Sequence, residues 1–126
     1  MRGVQLDFFI KRGVTQTQFL VLAAIRGYTR CTMGTLARSL HVSMPTVSGL
    51  VDRLVRAGYL RRIPHPEDRR RVIVELAPKA QAFLRDFETV IRRRWEEVLL
   101  SLEPQDLRAF YDVVTKLREQ LQMAAR

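Results

Sequence analysis

The sequence predicts a mainly α chain with one small β-hairpin. Apolar residues recur at steps of three and four over several separate stretches, the signature of one-sided helices. A single β-branched run, Val72-Ile73-Val74-Glu75-Leu76, follows a short Tyr59-Leu60-Arg61-Arg62-Ile63 segment across an arginine-rich loop. The last twenty residues carry apolar side chains in a narrow heptad pattern.

Taken in order, residues 1–12 hold Val4, Leu6, Phe8, Phe9 and Ile10 and read as a short helix. Thr15 and Gln18 stand at the spacing of a capping box, with Val14 and Phe19 at staple positions. The helix they open buries Phe19, Leu22, Ala23 and Ile25 and runs to about Tyr28. Thr32 is the expected N-cap of a helix over 32–40, with Met33, Leu36, Ala37 and Leu40 on its apolar face. His41 and Val42 form a turn. Ser43 caps a second helix whose Pro45 lies in the first turn, where a missing N–H costs nothing. Val47, Leu50, Val51, Leu54 and Val55 form its buried stripe, and Gly58 supplies the left-handed residue that ends it. Met44, Pro45, Thr46, Ser48, Gly49 and Arg53 lie off that stripe, around a small, polar first turn whose free amides suit phosphates and base edges, and with Ser43 they are the candidate DNA contacts of this helix. Pro64-His65-Pro66 breaks the first strand, and Glu67 to Arg71 form the tip. The pattern is a helix–turn–helix followed by a β-hairpin wing.

The segment LARSLHVSMPTVSGLVDRLVRAGYLRRIPHPEDRRRVIVEL resembles the winged helix of MarR-type transcriptional regulators. The entry helix L-A-x-x-L, the V-x-x-L-V-D-R-L-x-x-x-G-Y-L helix and strand, and the H-P-x-D-R-R wing carry the likeness. It implies a winged helix–turn–helix with N- and C-terminal dimerisation helices: residues 1–14 as a short dimerisation segment, 15–77 as the DNA-binding region, and 78–126 as C-terminal helices. It implies that Arg70 enters a minor groove while Asp68 braces it. The physics agrees, since a narrow minor groove concentrates negative potential and attracts arginine. Three consecutive arginines, Arg69, Arg70 and Arg71, cannot all face one way in an extended hairpin, so at least one points outward. His65 is a candidate backbone contact. Arg61 and Arg62 either touch phosphates or solvate the strand. Two positions depart from the family pattern. Gly49 stands where relatives carry a larger, often basic residue. Ala77 stands where relatives have a capping Thr, with Pro78 presetting φ in partial compensation.

From Pro78 a long helix runs to about Leu102, and a last helix runs from Pro104 to about Met123. Leu107, Phe110, Val114, Leu117 and Leu121 follow at steps of 3, 4, 3 and 4 on that last helix. Such a seam packs either on the preceding helix or on a second copy. The resemblance favours a two-fold homodimer through this seam and residues 1–12, although little precedes Thr15, where relatives have a longer first helix. A two-fold dimer would offer two recognition helices to successive major grooves of a pseudo-palindromic DNA duplex.

Charge placement supports a polyanion partner. The net charge of the 126 residues is +9. Residues 1–60 carry 8 Lys/Arg against 2 acids, residues 61–71 carry 5 Arg against 2, and residues 72–126 carry 9 of each. The whole excess therefore lies with the helix–turn–helix and wing. A winged helix used only for protein contact would not need so basic a tip. Two histidines, one cysteine, no glycine-rich phosphate loop and no metal-ligand spacing speak against an enzyme, a cofactor or a metal. No apolar run is long enough for a signal peptide or a membrane span, so a cytoplasmic location is the expectation. The family resemblance also implies a small phenolic or other amphipathic effector. Arg26, Tyr28 and Arg30 are the candidate pocket residues. Cys31, just before the Thr32 cap, is expected to be a small buried apolar residue and not a redox sensor.

Overall fold

The computed structural model describes residues 2–125, with side chains from residue 7 onward. Its elements are α1 (Arg2–Arg12), α2 (Gln16–Arg26), β1 (Cys31–Thr32), α3 (Met33–Leu40), α4 (Met44–Arg56), β2 (Leu60–Pro64), β3 (Val72–Leu76), α5 (Pro78–Leu100) and α6 (Pro104–Ala124). Two compact units result, Met1–Glu88 and Thr89–Arg126. The first is a winged helix–turn–helix and holds nearly all of the buried core.

Local chemistry sets most boundaries. The Thr15 hydroxyl accepts from the Gln18 amide at 3.1 Å, and the Gln18 side chain accepts from the Thr15 amide at 3.0 Å, the reciprocal capping box. Thr32 caps α3 by accepting from the Thr35 amide at 3.1 Å, and Ser43 caps α4 by accepting from the Thr46 amide at 3.3 Å. Between the two helices His41 sits at φ 56°, the left-handed region that closes a helix. This is an uncommon conformation for a non-glycine residue, though histidine tolerates it better than bulky or β-branched ones do. Its amide and that of Val42 satisfy the last carbonyls of α3. Gly58 follows α4 at φ 84°.

Four details differ from the reading of the sequence. The sheet has a third strand, in order β1-β3-β2, because Cys31 and Thr32 pair with Val74 and Ile73. Pro64 does not break β2 but ends it, opposite Val72; an edge strand tolerates a residue with no N–H to give. Helix α2 stops at Arg26 and buries Val21 beside Leu22 and Ile25, while Ala23 faces solvent. Helix α5 ends at Leu100, two residues early.

The core of the first unit is partly aromatic. Phe8, Phe9, Phe19, Phe83 and Phe87 cluster with ring centroids 4.5–6.4 Å apart. Such pairs add to the stabilisation from buried area. Helix α1, α2 and the start of α5 are thereby joined, so Phe8 and Phe9 are covered within the chain. Tyr59 meets Phe83 at 6.0 Å and ties the root of the wing to the same cluster. Lys79 donates to the Ala57 carbonyl at 2.8 Å and lies over the Tyr59 ring. A cation on the last carbonyls of α4 complements the helix dipole and helps fix the angle of that helix.

Candidate nucleic-acid interface

Helix α4 is the candidate recognition element by position and by surface. Val47, Val51 and Leu54 are fully buried beneath it, which leaves Met44, Pro45, Thr46 and Arg53 exposed, with Ser48 and Gly49 half-buried. The Ser43 hydroxyl accepts from the Thr46 amide and donates to the Thr46 hydroxyl at 2.9 Å. Thr46 therefore keeps its own hydroxyl proton for an outside acceptor. No atom lies within 4 Å of where a Gly49 Cβ would stand, so the helix is open there.

The wing tip is a locked loop. The Asp68 carboxylate accepts from the Arg70 amide at 3.0 Å and from Arg70 Nε at 3.4 Å. The Arg71 amide donates to the Asp68 carbonyl at 3.0 Å. His65 Nδ1 accepts from the Glu67 amide at 3.1 Å, and the His65 amide donates to the Arg71 carbonyl at 3.3 Å. The histidine that the sequence offered as a backbone contact thus also shapes the loop. With the tip so tied, the Arg70 side chain projects 91% exposed, braced by an aspartate that is only 32% exposed.

Ion pairing sorts the arginines. Arg61 pairs with Glu75, its direct cross-strand neighbour, at 3.0 Å, and Arg62 pairs with Asp52 of α4. The second pair joins the wing to the recognition helix. Arg26 meets Glu88 at 2.6 Å, and Arg30 reaches Glu67 at 4.0 Å. By contrast, among the described residues no carboxylate lies within 4 Å of Arg38, Arg53, Arg56, Arg69 or Arg71. These five cations lie on α3, α4 and the wing tip, where a polyanion would meet them. Arg38 was not a candidate in the sequence. It lines a groove of about 300 Å³ with Thr32, Gly34, Met44, Arg70 and Arg71. A lone arginine on an amphipathic helix carries no signal until the wing is folded beside it.

Arg26, Tyr28 and Arg30 do come together. They line a cleft of about 760 Å³ whose walls also include Arg61, Ile63 and Leu84. Cys31 borders the same cleft but is buried, and burial pushes its thiol pKa up. The thiol form predominates at neutral pH, and the thiolate is the reactive species. Peroxide is therefore expected to leave DNA binding unchanged in the parent and in Cys31→Ser alike. Binding lost in the parent and kept in the variant would overturn that expectation.

In the second unit, Leu107, Phe110, Val114, Leu117 and Leu121 are 36–71% exposed, and α6 has no buried residue. Among the described residues no group of His, Cys, Asp and Glu is placed to hold a metal, and no helix is long and apolar enough to cross a membrane.

The base-reading role of α4 can be tested residue by residue. Thr46→Ala and Ser48→Ala are each expected to flatten discrimination at particular base positions, by ~1–3 kcal/mol for a good base contact. Affinities for a panel of single-base operator variants measure this. Uniform weakening across the panel would place both side chains on phosphate instead.

The sequence model of the MarR family matches residues 14–72. The multiple antibiotic resistance protein MarR of Salmonella typhimurium is 38% identical over 69 residues, 55% of this chain and 48% of that protein. The chain thus spans about half the length of that relative. Among solved structures, transcriptional regulator Tm0710 from Thermotoga maritima superposes with a TM-score of 0.78 at 29% identity, covering 96% of this chain and 87% of the other. S. aureus MepR, solved as a complex with DNA, gives a TM-score of 0.81 over 96% of this chain and 91% of that one. At 20% identity the second likeness is one of fold.

Proposed function

Because the chain belongs to the MarR family of transcriptional regulators, we propose that it binds a pseudo-palindromic operator in double-stranded DNA as a homodimer and represses by occupying it. The observation that carries this reading is the wing tip: an arginine held outward by its neighbouring aspartate, beside a recognition helix with an open, polar N-terminus. In this scheme α4 enters the major groove with Met44, Pro45, Thr46, Ser48, Gly49 and Arg53. Arg70 enters the adjacent minor groove, and Arg69, Arg71 and His65 lie toward the backbone. The exposed α6 seam supplies the two-fold contact, and residues 1–14 take a further part in dimerisation through positions other than Phe8 and Phe9, which are covered within the chain.

The 760 Å³ cleft takes a small amphipathic or phenolic effector. Its volume falls within the range of small-molecule sites, and it combines apolar walls with guanidinium groups. Its rim bears on the wing, since Arg30 reaches Glu67 of the tip and Arg61 lies on β2. An occupant that moves β2 would move Arg70 out of register with the minor groove and release DNA.

Hydroxyl-radical footprinting on the DNA upstream of the coding sequence tests the two-fold reading. Two protected stretches related by symmetry, about one helical turn apart, are expected. A single asymmetric footprint would contradict the dimer on DNA.

A further inference from the structure

The DNA strand that separates the two grooves has to pass between α4 and the wing, and the structure has a basic groove at that place. We infer that this groove is a phosphate seat and that Arg38, on α3, is its principal cation. The inference rests on the DNA-binding reading above and adds a contact from outside the recognition helix and the wing tip.

Four observations place the seat. The groove is lined by Met44 of α4, by Arg70, Arg71 and Val72 of the wing, and by Thr32, Gly34 and Arg38. A strand whose flanking grooves receive α4 and the wing tip would therefore meet a groove to which Arg38 contributes. The Arg38 side chain is held ready. It extends back toward the start of α3, as long helical side chains do, and donates to the Thr35 hydroxyl at 3.3 Å. The same hydroxyl accepts from the capping Thr32 hydroxyl at 3.0 Å. Its guanidinium also lies close over the first turn of α3, 3.5 Å from where a Cβ on Gly34 would stand. Finally, the charge is uncompensated. Among the described residues neither Arg38 nor Arg71 has a carboxylate within 4 Å, while Arg26, Arg30, Arg61 and Arg62 all have one. Two exposed guanidiniums without a counter-charge, converging on one groove, fit a phosphodiester, which arginine binds in a forked geometry.

A phosphate contact carries no sequence information but adds to the salt dependence of binding. The test compares the parent, Arg38→Gln and Arg38→Lys by fluorescence anisotropy over a salt series. The probes are a duplex from the DNA upstream of the coding sequence and a scrambled duplex. Arg38→Gln is expected to lower the slope of log K against log salt by about 0.9 for each protomer bound, equally on both duplexes. Arg38→Lys should restore the slope. Methylphosphonate scanning adds an arm that needs no glutamine variant: neutralising one phosphate per half-site should weaken the parent. That same phosphate should be silent with Arg38→Gln if the variant melts with the parent. An unchanged slope in Arg38→Gln, or a loss confined to one base position, would overturn the seat while leaving the DNA reading intact. Absence of parent binding to either duplex at low salt would overturn the DNA reading and the seat with it.

Discussion

Arg70→Ala is expected to weaken DNA binding more than any other single substitution in the interface. The side chain is almost wholly solvent-exposed, and among the described residues its carboxylate contact is with Asp68 two residues away. Removing it therefore costs the free protein little, and the melting temperature should not move. In the complex it would lie in a narrow minor groove, where the negative potential is strongest. If its contact matches a good base contact in strength, the loss is ~1–3 kcal/mol per protomer, counted twice in a two-fold complex. At 1.4 kcal/mol per tenfold, affinity falls by about 30-fold to about 20,000-fold. Asp68→Asn should do part of the same damage by a different route, since it leaves the charge of Arg70 in place and loosens the brace on its amide and Nε. Equilibrium titrations of the two variants separate charge from preorganisation. A larger loss for Asp68→Asn than for Arg70→Ala would mean that the loop, and not the guanidinium, is what DNA reads.

Leu117→Asp is expected to convert a dimer to a monomer. Leu117 is the fourth of five seam residues on α6 and is 58% exposed in the single chain. Covering a leucine contributes roughly 1.5–3 kcal/mol, and in a two-fold interface each seam residue counts twice. A carboxylate placed there would have to lose its hydration without a partner, at a further cost of several kcal/mol. The single chain tolerates the change, because the site is exposed in it and far-UV circular dichroism should be unaltered. Sedimentation equilibrium should then report a monomer, and footprints should shrink to weak half-sites. A dimer that survives the substitution would put the interface elsewhere.

The parts of this fold that local chemistry decides were legible in the sequence. The Thr15, Thr32 and Ser43 caps, the His41 turn and the Gly58 stop all rest on contacts within a few residues, and each stands where its residue type placed it. The parts decided by distant partners were not. Strand β1 is two residues long and exists only because Val74 and Ile73 lie opposite it, so nothing in Cys31-Thr32 announces it. Whether Arg61 and Arg62 were free for phosphate was open until the register set Arg61 against Glu75 and α4 brought Asp52 to Arg62. The Asp68–Arg70 brace was legible through the resemblance of the wing motif to the family; the groove that gives Arg38 its setting joins α3 to a wing more than thirty residues on and was not. Phe8 and Phe9 looked like one end of a dimer segment, and their place in the core became visible only when α5 brought Phe83 and Phe87 to them.

The first unit is expected to read duplex DNA through α4 and the wing. Fluorescence anisotropy with the DNA upstream of the coding sequence, titrated in salt against a scrambled duplex, tests it most directly. Tight binding that favours the native duplex is expected, with log K falling steeply as log salt rises, by about 0.9 per phosphate neutralised. No binding to either duplex at low salt would contradict it.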